Sequence, residues 1–323
     1  MDLSTMGLLA AAADVSSISM DQKVPIMTII CILLSLVLCI GVPIAFFILI
    51  RRRIRMVGQA VIFGVLVYML ASSVLVQFTY ILIVMMPGAE SLLETNRPLS
   101  AIVSVAVTAL YEVLGFYLGL KLLKRTVERR GVKLDMGCAL LFSLGYTAAA
   151  VIAVSSANLL QYLMVATSIN GTGMQALAEG VAEGDERNNF IIAMDEFIHS
   201  PSSQYLLEGV SSVFQFIFRT CLAVLCYGAV SGKMKGTTMA VAVGAEAVFV
   251  IPQLLIYLEV FPTMWLAEIC YLVIDAVLLY YVIRAVKVYM KEDWEKLMKK
   301  PEDINRPGGT APKKMPKIVM PKD

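Results

Sequence analysis

Seven apolar runs, each long enough to cross a lipid bilayer, constrain this chain more than any other feature. They occupy residues 24–50, 60–86, 100–123, 137–167, 205–230, 237–259 and 264–286. A spanning helix needs roughly 20 mostly apolar residues, so each run predicts one crossing. Composition agrees: hydrophobic residues make up 59% of the chain, against roughly 45–50% in soluble domains. The expected fold is an all-α polytopic bundle of about seven transmembrane helices. Pro43 and Pro252 fall inside two runs and predict kinks, because a neighbouring helix can re-satisfy the freed carbonyl. The fourth run exceeds what a bilayer needs and should tilt or protrude. No internal repeat is visible, which removes support for inverted-repeat transporter folds.

The connections alternate in sign. Arg51, Arg52, Arg53 and Arg55 give the first connection +4, segment 121–135 also sums to +4, and Lys233 with Lys235 gives +2. The tail from Arg284 sums to +5, whereas the N-terminal arm is −2, segment 87–99 is −1 and segment 168–204 is −5. Lysine and arginine mark the cytoplasmic side. The expectation is an extracellular arm over 1–23, a helical bundle over 24–286 with an outer loop at 168–204, and a cytoplasmic basic tail over 287–323. Asp2, Asp14 and Asp21 precede the first apolar run, unlike the basic start of a signal peptide.

The 168–204 loop reads as a solvated linker, with Ser200-Pro201 as an N-cap and first-turn proline opening the fifth span. The tail beyond Lys300 is rich in proline, glycine and lysine and reads as disordered, with an attraction to anionic headgroups. The six cysteines (Cys31, Cys39, Cys138, Cys221, Cys226, Cys270) lie in apolar runs without a CxxC pair, so neither a disulfide framework nor a zinc knuckle is indicated. No basic patch interleaved with aromatics points to nucleic acid.

Ionisable residues at membrane depth are costly and mark sites or specific pairs. Glu112, Arg219, Glu246 and Asp275 sit near the middle of the third, fifth, sixth and seventh spans. Glu208, Glu259 and Glu268 lie nearer the span ends, within reach of water. The central four are expected to form one polar cluster around Arg219, whose guanidinium offers five donors. One reading is a functional site or proton relay; the other is an ion-pair network that fixes helix register. Gly115 and Gly119 form a GxxxG that allows close helix approach beside Glu112. The lone histidine, His199, follows Glu196 by three residues; it reads as a metal-ligand pair or as a solvated loop residue.

Three segments carry a resemblance. Tyr111-Glu112-Val113-Leu114-Gly115-Phe116-Tyr117 through Lys121 is similar to a helix reading Glu-Glu-x-Gly-Arg-Tyr, then an apolar run and lysine. Phe214 to Val230 ends in a short basic turn, and Gly244-Ala245-Glu246-Ala247 is similar to the end of Gly-His-Gly-Gly-x-Glu-Ala. These segments resemble the YhfC-type intramembrane metalloproteases, distantly related to the CAAX-processing and bacteriocin-processing membrane proteases. The resemblance implies a bacterial plasma membrane, and a zinc cofactor only if the chain is an active protease.

It also exposes systematic departures. The second glutamate of the first motif is Val113 and its arginine is Phe116; a family histidine falls on Arg219 and another on Ala242. Glu112, Arg219, Ala242 and Glu246 are therefore degenerate positions of a catalytic site. A catalytic zinc needs three protein ligands and an open position, and arginine cannot ligate a metal. The expectation is a protease-like protein without catalytic residues, cofactor or bound metal, holding a transmembrane or lipidated peptide in the old cleft. Two alternatives stay open: an active peptidase of the same family, and a proton-coupled or small-molecule transporter using Glu112, Arg219 and Asp275. Oligomeric state is not legible.

Overall fold

The computed structural model describes residues 18–51, 57–129, 131, 133–258, 260–261 and 263–298. Arg52, Arg53, Arg55, Arg130, Glu259, most of the N-terminal arm and the tail beyond 298 lie outside them. Helices are the regular elements of the described residues, without a strand among them, and seven are long and apolar enough to cross a membrane. These spans are Ile26–Arg51, Gly58–Val84, Pro98–Glu128, Met136–Thr172, Ser202–Val230, Thr238–Tyr257 and Met264–Tyr289. Leucine-, isoleucine- and valine-rich faces point outward along the bundle, Val37, Leu66, Leu272 and Val277 among them. In a membrane that surface meets lipid.

Local chemistry sets the span ends. The Asn96 side chain accepts from the Leu99 backbone N–H at 3.1 Å with a proline in the first turn, opening the third span. Asp135 does the same for the fourth, accepting from the Cys138 N–H at 2.7 Å. Ser200 does not cap the fifth span. Its hydroxyl donates back to the Glu196 carbonyl at 2.7 Å, closing the preceding helix, and the fifth span starts at Ser202 without a side-chain cap. Proline after Ser200 disfavours the helical region there, which separates the two helices. Pro43 and Pro252 lie inside continuous helices.

The fourth and fifth spans form the centre: 72% and 56% of their most apolar windows are buried, against 22–33% for the other five. Two glycines make the second–fourth crossing tight. A Cβ on Gly64 would overlap the Phe142 carbonyl, and one on Gly145 would overlap the Val61 carbonyl. The GxxxG glycines act similarly, Gly119 leaving room for the Phe142 ring and Gly115 facing Ala71. Six-residue and seven-residue π-helical segments, Val151–Ser156 and Met69–Leu75, interrupt the fourth and second spans.

The 168–204 connection is folded, contrary to the expectation of a solvated linker. The fourth helix runs to Thr172, where Gly173 adopts a positive φ of 87°. Helices Met174–Glu179 and Asp185–His199 follow, and Met174, Ile191, Met194 and Phe197 join a second core with Ile32, Cys39, Leu159 and Tyr205. At 37 residues the fourth helix extends about 55 Å, beyond the ~30 Å hydrocarbon layer, so its end supplies a wall for this cap. The Asp185–His199 helix buries one apolar side and exposes Asp185 and Glu186 at its start, which is why it docks without crossing.

The bundle therefore has an acidic end, carrying this cap, and a basic end. At the basic end the helix Lys291–Met298 packs Trp294 and Leu297 against the main core. Asp293 accepts there from the Tyr227 hydroxyl at 2.8 Å and pairs with Lys233. All six cysteines are free thiols.

Candidate functional site

The third, fifth and sixth spans bring Glu112, Arg219 and Glu246 together at the middle of the bundle. Arg219 grips Glu112 with two donors: Nε donates to Oε1, and Nη2 to Oε2 at 3.4 Å. Its Nη1 donates to Gln215 Oε1 at 3.2 Å, one helical turn earlier on the same face. Both oxygens of Glu112 are thus engaged by one planar fork, the geometry that favours arginine over lysine. Glu112 is 5% exposed and the Arg219 side chain 16%. The Ser143 hydroxyl donates to the Arg219 carbonyl at 3.1 Å, fastening the fifth span to the fourth at this level.

Glu246 faces the same pair from the sixth span, close enough for its charge to act on both partners. Among the described residues its Oε2 is buried without a hydrogen-bond partner. Tyr68 and Tyr146 complete the surroundings, each within electrostatic range of Glu112 and Arg219. The Tyr146 hydroxyl lies 3.1 Å from Ser72 Oγ, inside the second span's π-helical segment. Such segments often occur at functional sites.

Ala242 is fully buried one turn before Glu246, its methyl group in the main core. Val113 and Phe116, the other departures on the third span, are buried as well, with Phe116 packed on Phe142 and Tyr146. An apolar groove of about 310 Å³ runs between the third and sixth spans, lined by Leu110, Val113, Leu114, Met239 and Val243. Val113 and Val243 directly follow Glu112 and Ala242 in their helices, so the groove lies at the level of the Glu112–Arg219 pair.

Asp275 does not join Arg219. It lies on the far side of the fifth span, near Cys221, and both its oxygens are buried without a partner among the described residues. Two residues along a helix turn the side chain by about 200°, so Arg219 and Cys221 face nearly opposite ways. The cluster expected from sequence therefore divides into Glu112, Arg219 and Glu246 on one side and Asp275 on the other. His199 stands apart at the acidic end, its Nδ1 2.9 Å from the Asp195 carbonyl and 3.3 Å from its carboxylate. It pairs with Asp195 rather than with Glu196.

The donor chemistry fits a metal poorly. Glu112 has both oxygens held by a guanidinium, Glu246 offers one free oxygen, and the fixed positive charge of Arg219 opposes a divalent cation. The Cys226 thiol lies within electrostatic range of Glu246. Even so, among the described residues no three His, Cys, Asp or Glu side chains assemble in a metal-holding group. Gln215, Tyr68, Tyr146 and Ser72 are absent from the sequence reading. Only Gln215 left a signal there, its spacing of four residues before Arg219.

The chain matches the family model described as YhfC intramembrane metalloprotease over residues 37–271. No curated protein and no solved structure matches it.

Proposed function

Since the chain belongs to the YhfC intramembrane metalloprotease family, we propose that it is a member that has lost peptide hydrolysis and retained the fold to bind a membrane-embedded peptide. The observation that carries this reading is the fork between Arg219 and Glu112. A catalytic zinc requires three ligands and a fourth position for water, and that water must be activated by the metal or by a free carboxylate. Here the carboxylate of Glu112 is consumed by hydrogen bonds, Ala242 offers a methyl group, and Arg219 has no lone pair to give. The ion pair takes over the task of joining the third span to the fifth.

The groove between the third and sixth spans is where a transmembrane or lipidated peptide would lie, against Leu110, Leu114 and Val243. The protein would sit in a bacterial cell membrane with its basic connections toward the cytoplasm. Metal content tests the reading. The full chain, purified in mild detergent without chelator or histidine tag, should hold close to no metal per chain, even after incubation with zinc. About one tightly held metal per chain, lost in Glu112→Gln or Glu246→Gln, would overturn it and restore peptide hydrolysis as the function.

A further inference from the structure

The fifth and seventh spans share a second seam of acids that the Arg219 pair does not use. Glu268 and Asp275 both face the fifth span and are 7% and 4% exposed. They are two helical turns apart, about 10 Å, so they form two successive positions on one face. The Ser211 hydroxyl donates to Glu268 Oε1, which leaves Oε2 buried without a partner among the described residues. Both Asp275 oxygens are in the same condition. Buried polar atoms are almost always satisfied in folded proteins, by protein groups, water or ions.

The walls of the seam narrow the choice of ligand. Tyr271 projects from between the two acids, tilted against Phe249 at 4.8 Å, and Phe249 stacks on Phe218 at 4.0 Å. Cys221 of the fifth span lies within electrostatic range of Asp275, and the Ser211 hydroxyl faces Glu268. Glu208 lies one turn outward from Ser211, half-buried, toward the acidic end. No lysine or arginine among the described residues pairs with either acid, and Arg219 is occupied by Glu112. Two buried carboxyl groups without a basic partner among the described residues favour a cation over an anion.

We infer that the seam between the fifth and seventh spans binds an alkali metal ion, with Glu268 and Ser211 as its outer position and Asp275 as its inner one. No bond forms or breaks beyond coordination of the ion by the carboxylate oxygens. The inference is independent of whether the chain cleaves peptides.

Carbodiimide labelling separates a bound alkali ion from a proton on the carboxyl. Dicyclohexylcarbodiimide attacks a protonated carboxyl in an apolar setting, and a bound alkali ion blocks it. The full chain in liposomes is treated with the reagent, and adducts are mapped by mass spectrometry. Asp275 is expected to label at least tenfold faster than Asp293, which is buried but bonded to Lys233 and Tyr227, and the adduct should vanish in Asp275→Asn. Retardation by sodium or potassium at fixed pH identifies an alkali ion. Retardation by raised pH alone is what any titrating carboxyl shows, so without an effect of sodium or potassium it overturns the inference. Absence of adducts at both Asp275 and Glu268, or labelling insensitive to pH and alkali ions alike, overturns the inference. The protection measurements use the unaltered chain, so they stand even if a variant fails to fold.

Discussion

Glu112 and Asp275 are both buried carboxyl groups near the middle of their spans, yet the fold treats them oppositely. Glu112 has its two oxygens filled by Arg219, and the guanidinium is held in turn by Gln215. Asp275 has an apolar setting and no partner among the described residues. A satisfied pair at this depth is a cross-link between helices. An unsatisfied acid at the same depth ties no helix to another. The contrast teaches that membrane-depth charge by itself does not identify a site; the distribution of partners does.

The comparison breaks most readily at Arg219. Replacing Arg219 with leucine leaves Glu112 buried and unpaired, and removing one partner of a buried pair destabilises by about 3–5 kcal/mol. A large fall in melting temperature and in detergent-extracted yield is expected, and unchanged values would sink the cross-link assignment. The basic end supplies a weaker satisfied acid. Asp293→Ala strips a partner from the buried Tyr227 hydroxyl and from Lys233, and an orphaned buried group costs about 1–3 kcal/mol. It should free the Lys291–Met298 helix, read as faster proteolysis after Tyr289 and a shift in Trp294 fluorescence. Asp275→Asn should have the smallest effect, within about 1 kcal/mol, because no native bond is removed. A drop as large as that of Arg219→Leu would mean that Asp275 has a structural partner after all.

Legibility varied with the kind of information each element needed. The spans were plain because length and apolarity add up residue by residue, and all seven helices fall on the runs read from the sequence. The acids of the Asp185–His199 helix dominate its sequence, which reads as a linker for that reason. Its apolar residues Ile191, Met194 and Ile198 nevertheless follow a helical period, which was the signal available. The Gly64–Gly145 crossing escaped notice because neither glycine stands in a motif; each matters only for the backbone opposite it. Tyr146 and Ser72 escaped for the same reason, being ordinary polar side chains until the second and fourth spans meet.

The sequence alone determined the helical class, the number of spans, the alternating charge of their connections and the four acids and bases placed at membrane depth. Those properties are sums over local residues and survive any arrangement of the helices. Tertiary structure decided that Arg219 takes Glu112, that Glu246 joins them and that Asp275 turns away beside Cys221. Pairing depends on how each helix is rotated and which neighbour it meets. A rotation of about 100° per residue moves a side chain from one partner to another without changing hydropathy.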